Sequence, residues 1–246
     1  MSAPTRISRS LNGKVAIVTG AGSAGNGIGN GRAAAILLAE DGCSVLCVDR
    51  DEAAAATTVD MIRSGRPGTS SSGGNAAACA ADVSVPAECE RVVRRAVELF
   101  GRLDVLVNNV GVLGAPGSAT AVEQDGWERG MRVNVGSMVW MAKYAIPEML
   151  KNDRAEGGGL RGSIVNMGSV AGLRGGIDDL LYPVSKGTVV NLTQSMAFQH
   201  GKDGIRVNCV CPGESLLLRR CFECDNFLVI YALFLQLALV SLMLLI

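Results

Sequence analysis

One histidine, His200, stands among 246 residues, and only 4% of the chain is aromatic. A single imidazole almost excludes a histidine-based triad and a histidine-rich metal site. Charge of one sign is lacking as well: 23 basic side chains balance 23 acidic ones. There is thus no basic footprint for nucleic acid. Eight cysteines in a chain of this length are too few for a disulfide scaffold. No apolar run follows the two arginines of the first ten residues, so they do not form a secretory signal. Collagen-like and disordered readings fail on composition, because 48% of the residues are apolar and the 31 glycines have no strict period.

What is present is a chain long enough for one large α/β domain. Apolar runs recur at Val15 to Thr19, Ser44 to Asp49, Leu103 to Asn108, Ser163 to Met167 and Ile205 to Cys211. They are continuous rather than alternating, which predicts strands buried on both faces of a parallel sheet. Helix-length segments lie between them: Arg32 to Glu40, Pro86 to Phe100, Gln124 to Leu150 and Leu181 to His200. Strand and helix in alternation predict a doubly wound, three-layer α/β/α fold. Ser64 to Gly74 and Asn152 to Gly162 are rich in glycine, serine and charge and read as surface loops. Cys43, Cys47, Cys209 and Cys211 lie in apolar runs and read as small core residues. Cys221 and Cys224 form a C-x-x-C without a second pair at zinc-finger spacing, so no metal site is expected.

The first strand runs into a glycine-rich stretch, Gly20 to Gly31, and then a helix. Such a turn lets the backbone approach a pyrophosphate, which the N–H groups and dipole of the helix N-terminus then bind. The second strand ends in Asp49, whose carboxylate can accept from both adenosine ribose hydroxyls and so favours NAD. Arg50 follows and offers a partner for a 2′-phosphate, which leaves NADP open.

Taken together with Asn108-Asn109-Val110-Gly111, Asn134, Ser169 and Tyr182-Pro183-Val184-Ser185-Lys186, these motifs resemble the short-chain dehydrogenase/reductase family over residues 11–213. The resemblance implies a Rossmann-like sheet. It places Gly20 and Ser23 beside the cofactor, Asp82 and Val83 at the adenine, and Asn109 and Gly111 along the dinucleotide. The family loop has its last glycine seven positions after the threonine, whereas here Gly29 is ten and Gly31 twelve positions after Thr19. Aligning by local sequence puts Gly27, Ile28 and Gly29 on the cofactor and is preferred for Ile28. Aligning from the helix puts Gly29, Asn30 and Gly31 there, because Arg32 and the alanines after it then fall in register.

The resemblance also assigns the chemistry. Tyr182 and Lys186 share a helix face one turn apart. An ammonium beside a phenol favours its ionised form, which suits Tyr182 as a general acid and base. Lys186 also binds the nicotinamide ribose. Ser169, thirteen residues before Tyr182, orients the substrate oxygen, and Asn134 holds a water in a relay to Lys186. The implied reaction is hydride transfer between a nicotinamide and a small-molecule alcohol or carbonyl substrate, with a homo-oligomer as the family's usual assembly. The alternative is a catalytically impaired, nucleotide-binding, membrane-associated protein.

After Pro212-Gly213 the family pattern stops, and its last strand is not recognisable in residues 214–246. Residues 227–246 carry no charge, and twenty residues of helix would span about 30 Å, the thickness of a bilayer core. Arg219 and Arg220 lie on the side expected to stay cytoplasmic. The segment reads as an apolar transmembrane tail anchor, as a buried helix in place of the missing strand, or as a foreign end from an altered frame or an unspliced segment. The expected location is a cytoplasmic catalytic domain, membrane-anchored if the tail spans.

Overall fold

The computed structural model describes residues 10–23, 27–65, 74–154 and 159–213. Its elements run β1 (Val15–Thr19), α1 (Asn30–Glu40), β2 (Ser44–Asp49), α2 (Glu52–Ser64), β3 (Ala76–Ala80), α3 (Pro86–Phe100) and β4 (Val105–Asn108). Then come α4 (Gln124–Met131), a wide π-turn (Arg132–Gly136), α5 (Ser137–Met149), β5 (Gly162–Met167), α6 (Val170–Arg174), α7 (Leu181–His200) and β6 (Ile205–Val210).

The six strands are all parallel, in the order β3-β2-β1-β4-β5-β6. Side chains alternate between the two faces, as strand geometry requires. Ala16, Val18, Val45, Cys47, Val105, Val107 and Val165 join one core with α1 and α2 residues such as Leu38 and Ile62. Ile17, Leu46, Val48, Leu106 and Ile164 join the other, with Val92, Met141 and Met196 from α3, α5 and α7. Both faces are covered, which is why the strands read as unbroken apolar runs.

The boundaries of β1, β2, α3 and α7 are those the sequence predicts. Three departures stand out. The predicted helix from Gln124 to Leu150 is interrupted by the wide turn at Arg132–Gly136, where Ser137 N–H reaches back to Arg132 O. The sequence reading had no helix at Glu52–Ser64, whose start is fixed by the Asp51 carboxylate accepting from Ala53 and Ala54 N–H. Cys209 and Cys211 are not core residues as expected: they are half-buried, whereas Cys43 and Cys47 are fully buried.

The strand order reverses between β1 and β4, so connections leave to opposite sides and open a crevice at the carboxyl ends of these strands. β6 lies at one edge of the six-stranded sheet. The apolar segment 227–246, Arg219, Arg220, Cys221 and Cys224 lie outside the described residues. Among the described residues, no helix is long and apolar enough to cross a membrane.

Candidate active site

The crevice is tied across its floor. Thr19 Oγ1 accepts from Asn109 N–H at 3.1 Å, and Asn109 Nδ2 donates to Gly20 O at 3.0 Å. Gly20 has φ +64°, a backbone state that favours glycine. Gly31 is where α1 meets the end of β1: a Cβ there would land on Gly20 O and crowd Asn109 Nδ2. Among the described residues, a Cβ on Gly27 or Gly29 would meet only Ser23, at 4.0 and 3.5 Å at the closest. Ile28 is 66% exposed. The close approach of Gly31 to Gly20 is what the alignment from the helix, Gly29-Asn30-Gly31, expects. Gly31, named in the alignment from the helix, packs the start of α1 against Gly20.

Arg32, the first side chain after Gly31, is buried and anchors this longer loop. Its guanidinium donates to Gly27 O at 2.6 Å, to Thr58 Oγ1 at 3.0 Å and to Ala54 O at 3.4 Å. Thr58 passes the link on by donating to Ala21 O at 2.7 Å.

The site fits a dinucleotide. The N-cap of α1 is Gly29, with no side-chain cap and no acidic residue in the first turn. Among the described residues nothing caps this helix, and its dipole favours an anion, unlike α2, which is capped by Asp51. Asp49 stands at the end of β2, its Oδ2 accepting from Gly22 N–H at 3.0 Å and its Oδ1 from Asp51 N–H at 3.1 Å. Arg50 is exposed beside it. Asp82 and Val83 follow β3: Asp82 is exposed and accepts from Ser84 N–H at 2.9 Å, while Val83 is buried in the core.

On the other side of the crevice, Lys186 Nζ donates to Met167 O at 2.7 Å. Met167 ends β5 two residues before Ser169. Lys186 Nζ also lies 5.8 Å from the centre of the Tyr182 ring. A Cβ on Gly111 would meet Lys186 Nζ at 3.1 Å and Asn134 Oδ1 at 3.6 Å, which brings β4, the wide turn and α7 to one point. Lys186 is almost fully buried, and burial lowers its pKa from the ordinary 10.5 to about 8, against the opposing influence of Cys209 and Cys211.

Ser169 caps α6, its Oγ accepting from Ala171 N–H at 3.2 Å. That bond uses a lone pair and leaves the hydroxyl hydrogen for another acceptor. Asn134 is fully buried. Its Nδ2 donates to Val112 O and to Ser185 Oγ, each at 2.9 Å, and its Oδ1 accepts from Val112 N–H at 2.8 Å. Both amide hydrogens are thus engaged, so a relay water beside Lys186 cannot be bound by Nδ2. Ser185, which the sequence reading missed, links Asn134 to Tyr182 O at 2.8 Å.

A hollow of about 580 Å³ lies nearby, between Ser118, Gly172, Leu173, Ile177, Leu180 and Val184 among others. Neither Ser169, Tyr182 nor Lys186 lines it, so it lies beside these residues rather than among them.

Sheet, crevice and polar cluster define a dinucleotide-binding α/β oxidoreductase domain. Residues 14–216 match the short chain dehydrogenase family. The chain is 38% identical to a meso-2,3-butanediol dehydrogenase from Serratia marcescens, over 82% of this chain and 71% of that one. It is 37% identical to a cyclohexanol dehydrogenase from Acinetobacter sp., over 84% and 75% of the two chains. The solved Pseudomonas aeruginosa RhlG/NADP active-site complex superposes with a TM-score of 0.74 at 30% identity, covering 86% of this chain and 76% of that one. The chain belongs to the short-chain dehydrogenase/reductase family, whose members are NAD(P)-dependent oxidoreductases.

Proposed function

We propose that residues 11–213 transfer a hydride between a nicotinamide dinucleotide and a secondary alcohol or ketone. The observation that carries this is the convergence of Lys186, Asn134 and Gly111, with Lys186 bonded to the strand end that leads into Ser169. The butanediol and cyclohexanol in the relatives' names are secondary alcohols, which supports the substrate class.

The cofactor, when bound, supplies the hydride donor or acceptor. The residues supply the rest. Gly20, Ser23, Gly29 and the uncapped start of α1 hold the pyrophosphate, and Gly27 and Ile28 border it. Asp49 accepts from the adenosine ribose, which favours NAD, while Arg50 is the side chain that would meet a 2′-phosphate. Asp82 and Val83 flank the adenine, and Asn109 and Gly111 follow the dinucleotide.

Tyr182 takes the proton from the alcohol oxygen at its own phenolic oxygen and returns it in the reverse direction. The ammonium of Lys186, held by Met167 O, stabilises the charge on that phenolic oxygen. Ser169 donates its hydroxyl hydrogen to the substrate oxygen where charge develops. Asn134 is a positioning residue that fixes Val112 and Ser185 beside this pair.

The test is NADH and NADPH binding and turnover over a panel of cyclic and aliphatic secondary alcohols. Turnover that disappears in Tyr182→Phe with cofactor binding kept supports the reading. The charge-free segment 227–246 favours a second one, a membrane-associated nucleotide-binding protein without turnover. Binding with no turnover on any substrate, and recovery of the full chain with membranes, would select that reading instead.

A further inference from the structure

We infer that Cys209 and Cys211 form a dithiol modification site in the wall of the catalytic cleft, one that takes a low-molecular-weight disulfide and closes into an intramolecular disulfide. The two residues are i and i+2 at the end of β6, so their side chains leave the same face. Their sulfurs lie 3.7 Å apart, within sulfur hydrogen-bonding distance. Gly168 makes room for them: a Cβ there would meet Cys211 Sγ at 2.7 Å and Cys209 Sγ at 2.8 Å. Gly168 immediately precedes Ser169, so the pair lies against the reaction centre.

The two thiols are unequal. The hydrogen bond from the Cys209 thiol holds Cys211 below the ordinary thiol range, burial opposes it, and Ser169 N–H and the Lys186 charge act in the same direction as the thiol. Cys209 is pushed upward by the same hydrogen bond and by burial. Cys211 is thus the member biased toward the thiolate that attacks, and Cys209 the member held as a thiol in reserve. Cys43, Cys47 and Cys89 are buried, and burial pushes each up to about 12.

The chemistry balances with the small disulfide as oxidant. The Cys211 thiolate attacks one of its sulfurs, the S–S bond breaks, and one thiolate leaves with the electron pair. Cys209 then gives up its proton to solvent and attacks Cys211 Sγ. The mixed disulfide breaks and the second thiolate leaves. The two cysteines are oxidised, and the small disulfide is reduced to two thiols.

Closure reaches the site through the backbone. Cα atoms two apart on an extended strand are separated by about 6.6 Å, near the upper limit of about 6.8 Å for a disulfide. The sulfurs, 3.7 Å apart, must close to about 2.05 Å, so the Cys211 end draws in toward Cys209. Pro212 O accepts from Val170 N–H at 3.0 Å, and Gly168 N–H donates to Val210 O at 2.7 Å. Drawing in Cys211 thus pulls on both neighbours of Ser169. The thiol chemistry stands by itself; its effect on cofactor binding and turnover rests on the proposed function.

The experiment uses the full, reduced chain incubated with oxidised glutathione, then alkylated and digested with trypsin. Cleavage after Arg206 and Arg219 releases residues 207–219, which contain Cys209 and Cys211 and no other cysteine. The expected result is a 207–219 peptide that has lost two hydrogens and resists alkylation until reduced. In Cys209→Ser the same peptide should carry one glutathione on Cys211. In Cys211→Ser, Cys209 should react at least about ten times more slowly. A wild-type peptide that stays alkylatable while the Cys221–Cys224 peptide oxidises would overturn the inference, as would equal reactivity of Cys211→Ser. NADH titration of the reduced chain separates the two claims. No NADH binding sinks the proposed function alone, whereas unchanged NADH binding and turnover after oxidation sinks the coupling to the site.

Discussion

The Lys186 ammonium is held by the main-chain oxygen of Met167 at 2.7 Å, with no carboxylate among the described residues as its hydrogen-bond partner. A buried cation on a neutral acceptor titrates early, here at about 8 instead of 10.5. Between these values the unfolded chain binds the proton more fully than the folded one, so the Lys186 contribution to stability rises with pH across that window. Below about pH 8 the full penalty is present. The melting temperature of Lys186→Met minus that of the parent should therefore fall as pH rises from 8 to 10.5. A difference that is flat with pH would refute this placement of Lys186.

Gly31 and Gly27 should respond oppositely to the same methyl group. Gly31→Ala must displace Gly20 O or tilt α1, an overpacking cost of about 1–3 kcal/mol, and it should weaken NADH binding. Gly27→Ala meets, among the described residues, nothing closer than Ser23 Oγ at 4.0 Å and should leave both nearly unchanged. Urea unfolding and fluorescence titration of the two variants check this. The reverse ranking would favour the Gly27-Ile28-Gly29 register.

Thr58→Val tests the buried Arg32. The swap keeps the shape but strands Arg32 Nε and Ala21 O, each of which bonds the Thr58 hydroxyl. Leaving buried polar groups without partners costs about 1–3 kcal/mol. The urea midpoint should fall accordingly, and the chain from Gly27 to Asn30 should become more open to proteolysis.

Asp49→Ser should exchange cofactor preference. Removing the carboxylate removes its repulsion of a 2′-phosphate and frees Gly22 N–H. The ratio of NADPH to NADH affinity should rise at least about tenfold, equivalent to about 1.4 kcal/mol. An unchanged ratio would assign cofactor choice to residues other than Asp49.

Ser169→Ala combines two losses. The N-cap of α6 disappears, costing about 0.5–2 kcal/mol, and the hydroxyl hydrogen is lost to the substrate oxygen. Turnover should fall about 10²–10³-fold. A Ser169→Asp variant keeps a capping oxygen, so it should recover stability without recovering turnover.

Several of these features were legible along the chain. Buried parallel strands are apolar on both faces, so β1 and β2 announce themselves without any partner. Tyr182 and Lys186 are one helical turn apart, and local periodicity alone puts them on one face. Asp49 follows from the position of a strand end. Each of these depends on neighbours within a few residues.

The rest depended on contacts across the sheet. Gly27, Gly29 and Gly31 are interchangeable in a string of letters, and only the approach of α1 to Gly20 O distinguishes them. Cys209 and Cys211 read as core because a strand's apolar character does not reveal that it is the last of the described strands in the sheet. Asn134 was legible as a polar residue in a helix, but the engagement of its amide by Val112 and Ser185 was decided by partners 22 and 51 residues away. Composition and periodicity determined the class of fold and the cast of polar residues. Tertiary packing decided which atoms remain free to act, because a hydrogen bond or a close approach between distant segments leaves no mark on either segment alone.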